Sequence, residues 1–474
     1  MKIHLGTQET FASCPDNVAA KAPRGAGYLD WSRLLLLVWS GPQEPRARRI
    51  RIGLIDIFIL ILAAAICWST TATTVLVLCI LLMISITHGP WKILQQMKHP
   101  ACALPVAIVA IAMLGTLWAD EVPWSERLHA IEKTVKLLWL PPLFLHFQMT
   151  SRGPRMFTAY AVSNLVLAGF SFLTFLSPEV RDALGAAGKA PGVFLKNYID
   201  QSQGFALAAV ISIALAIESI HRSRFWRAAV LLVCSAVFFA ELAFVNVART
   251  AFLYVPAMLL LLLLRYTRGW ALLALLAGLS AIGAALWVAS PNLQTKVARL
   301  LHEVSAFESN ATTVNGHPAS GAERLEFWRK SIKFVHAAPF FGHGTGSTRA
   351  LFAAEAAGES GLKAKVVDNP HNQTLAVAIQ WGMLGCLALL ATWGTHLWLF
   401  REAVAGAQPS LVAWIGLVAV VQNVLSSLLN SHLFDFYEGW LYVLIVAIAG
   451  GTLQREKRSG GSVRPIATVP RTMQ

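Results

Sequence analysis

Runs of about twenty mostly apolar residues recur along this chain, and they limit its fold more than any other feature. A helix rising about 1.5 Å per residue needs about 20 such residues to cross the hydrocarbon layer of a bilayer. Twelve stretches are read as spans: 52–68, 70–87, 101–119, 131–147, 156–176, 201–219, 227–246, 250–264, 270–290, 374–398, 410–430 and 434–453. Composition points the same way. Of the 474 residues, 56% are hydrophobic and 14% charged, whereas an ordinary soluble domain carries about 25% charged residues. The expected fold is an all-α polytopic membrane protein with about twelve transmembrane helices and one large, partly helical outer loop. Pro141-Pro142 should kink or interrupt the fourth span.

A net charge of +14 would suit nucleic acid, but its placement suits a membrane better. Arg46, Arg48, Arg49 and Arg51 precede the first span; Lys92 and Lys98 follow the second; Arg152 and Arg155 follow the fourth. Arg222, Arg224 and Arg227 follow the sixth, Arg265 and Arg268 the eighth, and Arg401 the tenth. Arg455, Lys457 and Arg458 follow the last. With twelve spans these loops share one side, which the positive-inside bias makes the cytoplasm. Asp120, Glu121, Glu126, Asp435 and Glu438 fall on the other side. Residues 1–50 then form a cytoplasmic tail, with an interfacial piece at 34–39. Residues 51–290 hold nine spans, 291–373 the outer loop, 374–453 three more spans, and 454–474 a polar cytoplasmic tail. Membrane lipids are expected partners and nucleic acid is not. The six cysteines are scattered and none lies in the outer loop, so neither a disulfide framework nor a zinc pattern is present.

Only polar groups perform acid–base or charge-neutralising chemistry, which directs attention to 291–373 and the adjoining span ends. Within that loop Leu325, Trp328, Ile332 and Val335 recur at helical spacing, predicting an amphipathic helix over 322–337 ended by Pro339. Gly342-His-Gly-Thr-Gly346 has backbone N–H groups suited to an anion, but it lacks a phosphate-loop spacing and reads better as a tight turn. Arg249 stands in a short turn on the side where arginine should be scarce. An ionisable group at that depth is a site candidate, and a snorkelling arginine on lipid headgroups fits its position equally. Arg324, Lys196 and Arg181 read alone as solvated charges. His371, in Asn369-Pro-His-Asn-Gln373, has the near-neutral pKa of a general base at a membrane surface. His302, His317, His336 and His343 compete with it, and spacing does not choose among them. No H-x-x-x-H pair or carboxylate partnership in the loop makes a metal site.

In order, Val247-Ala-Arg-Thr-Ala251 opening a span, Arg324 with Trp328, Pro339-Phe-Phe-Gly-His-Gly-Thr-Gly346 and Pro370-His-Asn-Gln373 resemble the O-antigen ligase and polymerase superfamily. The resemblance implies a GT-C-like glycosyltransferase in the bacterial inner membrane, with its site on the periplasmic face. The implied donor is a glycan on undecaprenyl pyrophosphate, and the ligase acceptor is a hydroxyl of lipid A–core. Polymerase or chain-length partners come with that setting. It further implies His371 as the group that orients or deprotonates the acceptor, and Arg249, with Arg324 and Lys196, as the pyrophosphate clamp. Trp328, His343, Asn372 and Gln373 join them as substrate-binding candidates. The family usually places a further arginine where Lys196 stands; a lysine gives a point charge and not a fork. No cofactor and no metal are expected, since fixed cations take the role of charge neutralisation. A polymerase, whose acceptor is a second lipid-linked glycan, is the alternative reading. A transporter would need charged residues at mid-span, and Lys136 with Pro141-Pro142 is the only hint of one.

Overall fold

The computed structural model describes residues 45–459 except 187, 246–247, 315–316 and 406–409. The expected interfacial piece at 34–39 and most of the two tails lie outside the described residues. Helices of eight or more residues are numbered here. The first, α1 (Pro45–Ala65), starts seven residues before the expected 52 and turns at once into α2 (Thr70–His88). The Ser69 hydroxyl accepts from the Ala72 amide at 3.1 Å and so starts α2, as an N-cap serine does. Then come α3 (Pro100–Leu114), α4 (Trp124–Val135) and α5 (Leu140–Phe147). The expected fourth span is therefore not one helix: α4 and α5 are joined by a single 3₁₀ turn, Lys136–Trp139. Pro141 and Pro142 sit in the first turn of α5, where their missing N–H groups break no hydrogen bond.

The chain continues through α6 (Gly153–Leu176), α7 (Tyr198–His221), α8 (Phe225–Ala240), α9 (Ala251–Tyr266) and α10 (Trp270–Ala289). The polar stretch carries α11 (Pro291–Glu308), α12 (Ser320–Ala337) and α13 (Thr348–Ala356). A two-residue antiparallel pairing, Thr313–Val314 with His317–Pro318, is a minor departure from the all-α expectation. Last are α14 (Gln373–Phe400), α15 (Leu411–Ser426) and α16 (Phe436–Arg458).

Among the described residues, eight helices are long and apolar enough to cross a membrane: α2, α3, α6, α7, α8, α10, α14 and α16. The expected count of twelve exceeds this for physical reasons. Helices α9 and α15 are apolar but have 16 residues each, about 24 Å at 1.5 Å per residue. Helix α1 carries four arginines and Asp56, and α4–α5 is broken.

Helix α16 is the centre of the bundle, buried along 89% of its apolar window, whereas α10 is buried along none of its own. Small residues bring the neighbours of α16 close, as is usual between helices in lipid. A Cβ on Gly451 would lie 2.5 Å from the Phe144 carbonyl oxygen of α5, and one on Gly416 of α15 would lie 2.6 Å from Ala449 Cβ. The first residues of α16 lie at the end of the bundle that the polar stretch covers. Lys136 Nζ donates to the carbonyls of Phe434 at 2.7 Å and Asp435 at 2.6 Å, which pins the break between α4 and α5 to that end.

Candidate functional site

His371 occupies a backbone conformation that few side chains adopt, with φ +54°. Neighbouring groups hold it there. Its amide donates to Asn369 Oδ1 at 2.9 Å, and Trp328 Nε1 donates to the Pro370 carbonyl at 3.1 Å. Asn372 then caps α14, its Oδ1 accepting from the Leu375 amide at 3.0 Å. The imidazole stacks on Phe327, 6.1 Å between centroids. Phe327, Phe334, Phe352 and Ile379 form a small core that seats α12 on α13 and α14. The expected stripe on α12 is thus rotated. Its buried face carries Phe327, Lys330, Ser331 and Phe334, while Leu325 and Ile332 are 36% and 50% exposed.

The ring's other contact decides its chemistry. His371 Nδ1 lies 2.7 Å from Asn430 Oδ1, and Asn430 Nδ2 donates to Asp435 Oδ2 at 3.0 Å. A carboxylate only accepts, so the Asn430 amide must point its nitrogen at Asp435 and its oxygen at the histidine. Nδ1 of His371 is therefore the N–H. Nε2 holds the lone pair, the state a proton acceptor needs. Burial lowers the His371 pKa below the usual histidine value and the nearby Arg324 cation lowers it further, while the Asn430 hydrogen bond opposes them. The ring is neutral at pH 7. Arg324 lies one turn before Trp328, so both side chains share a face of α12.

The other candidates are distributed around this centre. Asn372 Nδ2 donates to the Leu428 carbonyl at 3.0 Å and Gln373 Oε1 accepts from the Leu433 amide at 3.0 Å. Both residues thereby tie α14 to the loop between α15 and α16. Lys196 also lies against the α16 start: its ammonium is 4.6 Å from the Tyr437 ring centroid and donates to the Ile66 carbonyl. Arg249 lies half-buried in the turn before α9. His343 Nε2 lies 2.9 Å from the Phe334 carbonyl oxygen, which employs that ring nitrogen within the fold. The side chains of His302 and His317 lie outside the described residues.

The glycine-rich run is structural. Helix α14 breaks at Gly382, whose φ of +58° a side chain would oppose. The break exposes carbonyls on one side and amides on the other, and the run satisfies both. His343 and Gly344 amides donate to Ile379 and Gln380 carbonyls at 2.8 and 2.9 Å. Met383 and Leu384 amides donate to Pro339 and Phe340 carbonyls at 2.8 and 3.3 Å.

Three contributors escaped the sequence reading: Asn430, Ser431 and His432. Asp435 and Glu438 registered only as loop charges, and Lys133 only as a charge at the start of the fourth span. Ser431 Oγ donates to Asn369 Oδ1 at 2.7 Å, and Lys133 Nζ to Asp368 Oδ2 at 2.7 Å. His432, Asp435 and Glu438 each place one donor atom within 4.8 Å of the others, which is the kind of group that holds a cation. The spacing His432-x-x-Asp435-x-x-Glu438 was the available signal. Lys136 already lies against this group. Burial alone would lower the His432 pKa, but the Glu438 and Asp435 carboxylates outweigh it and push the value up to about 9. His432 and Lys136 thus face the Asp435 and Glu438 carboxyl groups, since buried ionisable groups need partners.

Residues 235–390 match the family described as O-antigen ligase. The match supports the O-antigen ligase family for this chain. The O-antigen ligase match runs from α8 into α14 and so takes in Arg249, Arg324, Trp328 and His371. Lys196, Asn430 and Asp435 lie outside it. No curated protein matches the chain. The match covers about a third of the chain, and the apolar helices around it are those of a multi-pass membrane protein.

Proposed function

We propose that the protein transfers a glycan from undecaprenyl pyrophosphate to a hydroxyl of lipid A–core on the periplasmic face of the inner membrane. The observation that carries the reading is the hydrogen-bond chain from Asp435 through Asn430 to His371 Nδ1, which leaves the Nε2 lone pair free on a ring that feels the Arg324 charge. The acceptor oxygen attacks the anomeric carbon and its proton passes to Nε2. The bond from that carbon to the pyrophosphate breaks, and its electron pair leaves with the phosphate oxygen. Displacement from the face opposite the leaving group inverts the anomeric centre. Arg249, Arg324 and Lys196 supply positive charge where the pyrophosphate becomes more negative, and such pre-placed charge lowers the barrier. Arginine's planar fork matches two phosphate oxygens at once.

The test is lipopolysaccharide banding in a ligase-null host expressing equal amounts of wild type, His371→Ala or Arg249→Ala. Wild type should restore the glycan ladder, and both variants should leave unmodified core with accumulated lipid-linked glycan. Normal ladders from both variants would overturn the site. If wild type lengthens lipid-linked glycans without modifying core, the acceptor is a second lipid-linked glycan and the enzyme is a polymerase.

A further inference from the structure

Helices α1 and α6 run side by side in the same direction. A Cβ on Gly53 of α1 would lie 3.4 Å from Arg152 Nη1, and further along both helices Ser163 Oγ donates to the Ala64 carbonyl at 2.6 Å. Between them lies a groove of about 650 Å³, within the roughly 300–1,000 Å³ usual for ligand sites. Leu60 and Ala64 form one wall, and Ala159, Val162 and Val166 form the other. The groove faces outward, since Val162 and Val166 are 58% and 48% exposed.

Its two ends differ. Trp68, in the turn after α1, closes one of them: Nε1 donates to Ser163 Oγ at 2.7 Å, and the ring meets Phe170 edge-on at 5.9 Å. Arg155 stands at the other end, exposed and in no ion pair among the described residues. Arg46, Arg48 and Arg49 begin α1 at that same end, and Arg152 precedes α6 there. From Arg155 to Val166 the groove is about 16 Å long at 1.5 Å per residue, half of a hydrocarbon layer ~30 Å thick.

These features select the occupant. Apolar walls offer nothing to a free phosphate or a sugar, whereas a groove as long as one leaflet suits an acyl chain. A fixed cation at the mouth suits a phosphate at the head of that chain, as basic pockets between membrane helices do. The prenyl chain of the proposed donor carries its charge at the opposite end, beside Lys196. Trp68 shuts the groove there, on the turn whose Ile66 carbonyl accepts from Lys196.

We propose that the groove between α1 and α6 is a binding site for an anionic phospholipid. Its phosphate lies on Arg155, and one acyl chain runs between Leu60 and Val162 as far as Trp68. The chain packs against the turn that receives Lys196. The site does not depend on the transfer reaction.

In the test, full-length protein in detergent is titrated with phosphatidylglycerol and, separately, with phosphatidylcholine, and native mass spectrometry counts the bound lipids. Wild type should hold one phosphatidylglycerol about fivefold more tightly than phosphatidylcholine, the factor that one basic residue contributes at an anionic membrane surface. Arg155→Ala should abolish that preference and Arg155→Lys, which keeps the charge, should retain it. Val162→Trp fills the groove from its exposed side and should remove the tight site for both lipids. Arg227→Ala, at an exposed arginine near the start of α8, is the control that should change neither. Thermal unfolding identifies any variant that is misfolded. No preference in wild type overturns the site. Equal losses from Arg155→Ala and Arg227→Ala overturn it too, because they report general charge and not a groove. If Val162→Trp removes the binding of undecaprenyl phosphate and leaves that of phosphatidylglycerol unchanged, the groove holds a prenyl chain and the inference falls.

Discussion

A histidine serves as a base only while one ring nitrogen keeps its lone pair, and in this protein Asn430 and Asp435 fix which one. The sign of each neighbour's effect on His371 gives a testable set. Burial and the Arg324 cation both disfavour the imidazolium, so the acid limb of kcat/KM against pH is expected below 6.5. Arg324→Gln removes one of these penalties and should move that limb to higher pH. Asn430→Ala removes a hydrogen bond that favours the charged ring, so the limb should move to lower pH and the rate should fall as the tautomer is freed. That fall should be smaller than the roughly 10²–10⁴-fold loss expected for His371→Ala. A limb that stays in place in both variants would show that the rate does not report this imidazole. The sequence offered His371 as one of several histidines beside a span. What separates it from the others is a contact with Asn430, 59 residues away, and no local pattern records such a contact.

At the scale of elements, a broken helix joins the polar stretch to the bundle, beside side-chain contacts such as Ser431 with Asn369. Helix α14 loses its own hydrogen bonds at Gly382 and regains them from Pro339–Gly344. Unpaired backbone groups are costly away from water, so the break and the loop depend on each other. A Cβ at Gly382 would lie 2.5 Å from the Phe340 carbonyl group, and the left-handed backbone adds roughly 1–2 kcal/mol for any side chain. Gly382→Ala should therefore lower the unfolding temperature and weaken transfer together. Gly278→Ala in α10, where a Cβ meets nothing within 4 Å, is the control that should retain both. Equal unfolding temperatures for the two variants would remove the mutual support argued here. The sequence disclosed the glycine run as a turn and a helix up to Ala337, because both follow from local chemistry. It placed the wrong stripe on α12. Leu325 and Ile332 made an apolar row, but the face that packs is the one whose Phe327 and Phe334 meet Phe352 and Ile379.

For the whole molecule, the reading of apolar runs located most helices, but its length criterion treated unequal elements alike. Sixteen-residue α9 and α15 are apolar but shorter than a full span, and α4–α5 is broken at the end that the polar stretch covers. Neighbouring helices and local thinning let short apolar segments cross lipid. The bundle has two ends. Arg152 with Asp56, Arg265 with Glu218 and Lys457 with Glu402 gather at one end. His371 and Lys196 occupy the other. On the positive-inside bias we propose that the first end is cytoplasmic, and single-cysteine labelling tests that proposal. Ser223 lies in the turn between α7 and α8, and Ser360 lies in the polar stretch before α14. A membrane-impermeant maleimide should label Ser360→Cys in cells with a permeabilised outer membrane, and Ser223→Cys only after lysis. The opposite pattern would put His371 in the cytoplasm, away from any lipid A–core displayed at the outer leaflet. It would also leave the lysine- and arginine-rich turns outside, against the bias that first oriented the chain. The site's geometry would survive that result, but the proposed acceptor would not.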